Sequence, residues 1–311
     1  MNVQQGSWTP TQIIPGKNLW KETYQKVRSG LIFLERVKEI PDQRQTVELV
    51  ERYKNEVRFL IAYDYSRMLE VYGPFPLITS LMDVNDSGEV LKKERTPYDE
   101  IVNYLDNEFM ELSKILPSSY DNVNIGRPTS GACLALRARM LMFAASPLFN
   151  ERTIEPGNEL VGYATYDRNR WNLAAEAAKE IITQFGPEGS GTLGLTSDYR
   201  NIFLNLYDKS NNPELIFFRQ TGKNKNIETK NGPLGFSGNA LGFGRTNPTQ
   251  NLVESFPMKD GKMPGDSKYA YNPMNNPYVD RDARLNYTIL HNGSTWLGKQ
   301  LETYQGGTHN P

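Results

Sequence analysis

The chain has 311 residues, 38% hydrophobic and 23% charged, the balance of a folded globular protein and not of a disordered one. Thirty-five basic residues against 36 acidic ones leave a net charge of −1, which argues against a nucleic-acid binder. No run of 18 apolar residues is present to span a membrane, and the opening MNVQQGSWTPTQ lacks the basic and apolar regions of a signal peptide.

Helices dominate the reading from residue 19 to about 185. The first is predicted over 19–40, with Leu31, Leu34 and Val37 on one stripe and Pro41 as its stop. The second is predicted over 43–72, with a face traced by Val47, Val50, Val57, Leu60, Asp64, Met68 and Tyr72 that is polar only at Asp64. Gly73-Pro74 ends it, because proline lacks a backbone donor and disfavours helix at the residue before it. A third is predicted from Thr96-Pro97 to about 116, with Thr96 as N-cap and Asp99 and Glu100 in the first turn. A fourth follows Arg127-Pro128-Thr129 and runs to about 149. Its stretch ACLALRARMLMFAAS is apolar nearly all round and alanine-rich, which places it centrally. A fifth spans about 166–185, with Trp171, Ala174, Ala178 and Ile181 on one side.

Antiparallel pairs with alanine on the close face suggest a helical repeat stack. The odd-numbered helices start near residues 19, 97 and 168, which is not the fixed 34-residue period of a plain tetratricopeptide array. Beyond 185, glycine-rich loops take over, with strands predicted over 214–219 (ELIFFR) and 286–290 (NYTIL) and loop over 222–251. The expected organisation is an N-terminal loop segment over 1–18, a helical scaffold over 19–185 and an irregular, strand-poor portion over 186–311.

Few motifs carry chemistry. Cys133 is the single cysteine, set among small apolar neighbours, and reads as buried packing. Residues 83–94, DVNDSGEVLKKE, match a calcium loop through Asp83, Asn85, Ser87, Gly88 and Glu94, but the flanking helices do not adjoin it. The match leaves calcium open, and the flanks favour a polar surface loop. Residues 293–300, GSTWLGKQ, approach a phosphate loop, yet Gln300 replaces the magnesium-binding hydroxyl and no helix can follow. His291 and His309 lack any zinc spacing, and no G-x-S-x-G elbow occurs. No metal site, cofactor or catalytic residue is assigned. Asp64 and Glu70, within a helix, read as capping or solvated. The loop aromatics Trp8, Phe236, Phe243, Tyr269, Trp296 and Tyr304 remain, and flat rings of this kind stack on the apolar faces of sugars.

The order of segments is more specific than any motif. VRSGLIFLERV, RFLIAYDYSRMLEVYGPFPLIT, RTPYDEIVNYLDNEFMELSKILP and GRPTSGACLALRARMLMFAASPLF, followed by NPELIFFR, PTQNLVESFPMKDG and YAYNPMNNPYVDRDARLNYTIL, resemble the SusD/RagB family of outer-membrane nutrient-binding lipoproteins. The likeness spans roughly residues 19–296. It implies a mostly α-helical, tetratricopeptide-like scaffold beside a loop-rich part, and a surface lipoprotein of Bacteroidetes that captures glycans without catalysis. It also implies a SusC-type TonB-dependent transporter as partner. Capture of peptide, as in RagB-like members, is the alternative, with a helical glycoside hydrolase behind it.

Three departures stand out: Leu31 where the first block often has Asn, no lipid-bearing cysteine near the N-terminus, and no helical block after Pro311. The resemblance therefore predicts a longer protein of which this chain is an internal portion. The family's ligand contacts lie in variable loops, so Tyr271, Tyr278, Arg281 and Asp282, inside a matching block, are expected to be structural, as are Tyr63, Tyr65 and Tyr72. Trp8 and Trp296 are the expected stacking residues, followed by Phe236 and Phe243, with Arg245 as a hydroxyl or acid contact.

Overall fold

The computed structural model describes residues 9, 19–40, 45–83, 85, 92–151, 154–204, 212–222, 224–234, 242, 244 and 246–309. The chain divides into two compact units: Met1–Gly194 with Ile216–Phe218, and Leu195–Leu215 with Arg219–Pro311.

The first unit is a helical stack. Helix α1 (Leu19–Arg36) pairs with α2 (Val47–Tyr72), α2 packs on α3 (Tyr98–Ile115), and α3 packs on α4 (Ser130–Ala145). A short turn α5 (Pro147–Asn150) follows, and α6 (Asn169–Phe185) lies against α4. α1 stops at Arg36, short of the expected 40, and Ile40 instead bridges to Gln45. α2 starts at Val47, later than expected, because the Thr46 hydroxyl caps it by accepting from Leu49 N at 3.3 Å.

The expected single face of α2 holds only in part. Val50 and Met68 are buried, but Val47 and Leu60 are exposed, while Phe59, Ala62, Tyr65 and Leu69 are buried instead. A helix flanked on one side by α1 and on the other by α3 and α4 is buried over more than one stripe. Asp64 and Glu70 are not merely solvated. Buried Asp64 takes Lys26 of α1 at 3.0 Å, and Glu70 takes Arg139 of α4 at 2.9 Å. Gly73, at φ 64°, closes the helix with its N–H on Leu69 O, a conformation glycine adopts without a Cβ penalty.

The proline turn after α2 is packed from beneath. Phe75 stacks on Tyr65 with ring centroids 5.1 Å apart, the Tyr65 hydroxyl donates to Ile78 O, and the Tyr24 hydroxyl donates to Pro76 O. Thr96 does not cap α3. Pro97 occupies that position, and the Thr96 hydroxyl accepts from Leu77 N at 3.1 Å, tying the segment before α3 to the proline turn. α4 begins under a Thr129 cap and lies in the centre, with Ala132, Cys133, Ala144 and Ala145 buried. Burial pushes the Cys133 thiol up to about 12, so it stays protonated and inert. α4 ends at Ala145, not at 149, because Ser146 leaves the helix and Pro147 starts a new turn. On α6 the buried face is Ala174, Ala177 and Phe185 with half-buried Ile181, while Trp171 and Ala178, expected to share it, are exposed.

The second unit holds short elements: α7 (Asn201–Leu204), α8 (Asn226–Asn231), α9 (Gln250–Ser255), α10 (Ala283–Thr288) and a hairpin of β1 (Thr295–Trp296) with β2 (Lys299–Gln300). The strand expected over 214–219 does not form. Ile216 and Phe217 belong to the first unit's core, where Phe217 meets Phe59 edge-on at 5.1 Å. The strand expected over 286–290 is helix α10 and its exit. α8 and the start of α9 interrupt the loop expected over 222–251. The core of this unit is small: Val253, Leu285 and Ile289, with Phe256 and Tyr278 against them.

Candidate functional site

Of the five expected ligand residues, Trp8, Phe236, Phe243 and Arg245 lie outside the described residues. Trp296 lies in β1. Its hairpin registers Thr295 with Gln300 and Trp296 with Lys299. The connecting residues Leu297 and Gly298 sit at φ 47° and 80°, both positive, as a two-residue turn matched to strand twist requires. The stretch that approached a phosphate loop is therefore a hairpin turn.

Residues directly opposite in a ladder share a face, so half-exposed Trp296 stands beside exposed Lys299. This pairs a flat apolar ring with a three-donor ammonium, a combination suited to a sugar's apolar face and its hydroxyls. Lys299 was missed in the sequence. The legible signal was W-x-x-K around Leu-Gly, once those two residues are read as a turn.

The hairpin is anchored from below. Gly293 N donates to Leu301 O at 2.8 Å, Leu301 N to Ser294 O at 2.9 Å, and Thr303 N to Asn292 Oδ1 at 3.0 Å. Leu301 is buried. His291 lies flat on Tyr278, its Nδ1 2.8 Å from Asn292 O and its Nε2 3.0 Å from Asn286 Oδ1. Both ring nitrogens thus face carbonyl oxygens, one of the backbone and one of a side chain. His309 Nδ1 accepts from Glu302 N at 3.0 Å, closing the following loop. Two Thr308 hydrogen bonds hold the Glu302 carboxyl below its ordinary range. Both histidines thus serve structure, and no group of three or more His, Cys, Asp or Glu able to hold a metal occurs among the described residues.

The residues of the block expected to be structural make internal contacts. Arg281, buried, donates to Pro277 O at 2.9 Å and, at the end of α9, to Val253 O at 2.7 Å and Phe256 O at 2.6 Å. Its guanidinium lies 5.2 Å from the Tyr271 ring centroid. Asp282 caps α10 through Arg284 N at 2.9 Å. In the stretch that matched a calcium loop, Asp83 Oδ1 accepts from Asn85 N at 2.9 Å and from Asn85 Nδ2, while Ser87 and Gly88 lie outside the described residues.

Two family models match the chain. One, described as "Starch-binding associating with outer membrane", covers residues 2–142, and the other, described as "SusD family", covers residues 213–310. A SusD-like carbohydrate-binding protein from Bacteroides fragilis is 24% identical, with a TM-score of 0.66 over 91% of this chain and 48% of its own. A second SusD-like protein from Bacteroides fragilis is 23% identical, with a TM-score of 0.64 over 89% of this chain and 50% of its own. Surface glycan-binding protein A from Bacteroides uniformis is 18% identical, with a TM-score of 0.55 over 78% of this chain and 47% of its own. The chain thus spans about half the length of these solved structures. No curated protein matches the sequence. With a family match in each half, and a mostly α, tetratricopeptide-like stack of the same fold as these structures, the chain belongs to the SusD/RagB family.

Proposed function

We propose that this protein is a non-catalytic glycan-binding protein of the outer-membrane surface that delivers oligosaccharide or polysaccharide to a SusC-type TonB-dependent transporter. The observation that carries the reading is the pair of family matches, one of them described by starch binding and outer-membrane association. Two relatives of the same fold, described as carbohydrate-binding and surface glycan-binding, support it. Among the described residues no helix is long and apolar enough to cross a membrane, so attachment through a lipid anchor is part of the proposal. A scaffold role for the first unit agrees with its carboxylates Glu56, Asp64 and Asp106, which engage Arg127, Lys26 and Arg137.

Trp296 and Lys299 form the proposed contact surface of the hairpin, and Trp8, Phe236, Phe243 and Arg245 are proposed as further ligand residues. Isothermal titration against a glycan panel tests the binding. A saturable signal with at least one glycan is expected. No heat with any glycan from a folded sample, or peptide bound in its place, removes the glycan reading. Co-purification with a co-expressed SusC-type transporter tests the delivery step.

A further inference from the structure

The hairpin that carries Trp296 stands on a tight turn with Asn292 and Gly293 in its middle. Ser294 N donates to His291 O at 3.0 Å, and Gly293 sits at φ 81° while Asn292 keeps a negative φ. These are the marks of a type II turn, which asks for glycine at its third position. Both middle residues are exposed.

An asparagine followed by glycine carries a reaction within itself. Glycine has no Cβ to shield its nitrogen, so that nitrogen can close on the carboxamide carbon of the residue before it. In the folded turn both reacting groups are held apart. Gly293 N donates to Leu301 O at 2.8 Å, and Asn292 Oδ1 accepts from Thr303 N at 3.0 Å. A type II turn also sets ψ of its second residue at about 120°. That angle swings the Gly293 nitrogen away from the Asn292 Cβ, whereas a five-membered ring needs the two eclipsed. The ring can therefore close only when the base of the hairpin opens. Two features keep that base shut: Leu301 is buried, and His291, the first residue of the turn, lies flat on Tyr278.

We propose that Asn292 is a deamidation site gated by local opening of the hairpin base, and that its conversion leaves the hairpin unfastened. On opening, the Gly293 nitrogen attacks the Asn292 Cγ and an N–Cγ bond forms. The Cγ–Nδ2 bond breaks, and ammonia leaves with the proton from Gly293 N. Water then cleaves the cyclic imide. Cleavage at Cγ gives aspartate, and cleavage at the main-chain carbonyl carbon gives isoaspartate. In isoaspartate the main chain runs through the former side-chain methylene and is one carbon longer. The bond from Gly293 N to Leu301 O falls out of register, and the acceptor that Thr303 N faced is gone. The site needs no ligand and stands apart from the glycan reading.

The whole folded chain, held in mildly alkaline buffer beside the same chain unfolded in guanidinium chloride, gives the test. Mass spectrometry of digests reads amide-to-acid conversion at Asn292, and enzymatic methylation identifies isoaspartate. Conversion is expected in both samples, at least about tenfold slower in the folded one, which corresponds to an opening cost of about 1.4 kcal/mol or more. Tyr278→Leu removes the stack and keeps the small core apolar, so it should raise the folded rate severalfold without changing the unfolded one. His291→Ala, compared with its own unfolded chain, should do the same. In the isoaspartate fraction, hydrogen exchange at Leu301 should be faster than in the unaltered chain. Equal rates in the folded and unfolded samples, or no conversion at Asn292 in either, overturn the proposal. A folded rate indifferent to both substitutions, or unchanged exchange at Leu301 after conversion, overturns it equally.

Discussion

The Tyr278 ring lies flat on the His291 imidazole, with centroids 3.9 Å apart and planes within 3°. Tyr278 packs against the small core of Val253, Leu285 and Ile289, and His291 begins the turn that leads into β1. The stack is thus the link between that core and the hairpin that carries Trp296. His291→Ala removes an aromatic pair of about 0.5–1.5 kcal/mol together with its hydrogen bonds. Faster hydrogen exchange at Gly293 and Leu301, with α1–α4 unchanged, is the expected result. Unchanged exchange would show the stack to be incidental.

Trp296→Ala is expected to weaken glycan binding by about 1–3 kcal/mol, if a sugar ring stacks as a base does on an aromatic face. Melting temperature should hardly move, since the ring is half-exposed. Lys299→Ala should weaken binding less, because an exposed ammonium contributes little against competing water. Titration of both variants checks this, and equal affinity in both removes the hairpin from the site while leaving the function standing.

Arg281→Ala takes one guanidinium away from three carbonyls at once. Hydrogen bonds to a charged donor contribute roughly 1.5–3 kcal/mol, and the carbonyls left behind are screened from water, so a loss of about 3 kcal/mol is expected. Arg281→Lys should recover only part of it, because an ammonium cannot fork to separate acceptors as a planar guanidinium does. Urea unfolding followed by far-ultraviolet circular dichroism measures both.

Asp282 gives a pH dependence with a defined sign. Its carboxyl is held below the ordinary carboxylate value, first by the Arg284 side chain and then by Arg284 N, against the opposing effect of burial. The ionised form therefore favours the folded state. That contribution is complete above the ordinary value near 4 and fades as pH falls through the lowered folded value. Asp282→Asn keeps a competent cap without a titrating group. Its melting temperature should fall less than that of the unaltered chain between about pH 4 and pH 2, and a parallel fall in both would remove Asp282 as a source.

Gly30 marks a close approach of α1 to α2. A Cβ there would lie 2.9 Å from Ile61 Cδ1 and 3.2 Å from Val57 Cγ1. Gly30→Ala gains about 0.5–1 kcal/mol of helix propensity and loses a similar amount to crowding, so the two nearly cancel. Gly30→Leu has no such offset and is expected to destabilise by about 2–3 kcal/mol, the overpacking range. Thermal melts of the pair decide it, and a tolerated leucine would mean the helices can move apart.

The helical stack was legible because α1–α4 and α6 combine long apolar periodicity with proline and glycine stops, as at Gly73. Boundaries slipped where a hydroxyl acted out of sight. Thr46 starts α2 late, and Thr96 bonds to Leu77 instead of capping α3. NYTIL, expected as a strand, begins as the end of helix α10. The Asp282 cap and the i, i+4 burial of Leu285 and Ile289 make it helix. ELIFFR is apolar for a reason that lies elsewhere in the chain: Phe217 fills the space beside Phe59 and Tyr63. The candidate site was hardest to read, since exposed aromatics carry no periodicity, and Lys299 joins Trp296 only through a turn the sequence does not announce.

The acceptors of Arg281 are neutral carbonyls, and the neighbouring carboxylates Asp280 and Asp282 are taken by Lys259 and Arg284. Among the described residues, then, no anion pairs with this buried cation for dissolved ions to displace. Raising salt to ~1 M shortens the screening length to about 3 Å and loosens exposed pairs such as Arg139 with Glu70. It leaves the Arg281 anchor at full strength, so a change in ionic strength reaches exposed ion pairs and not the bonds that fasten the end of α9.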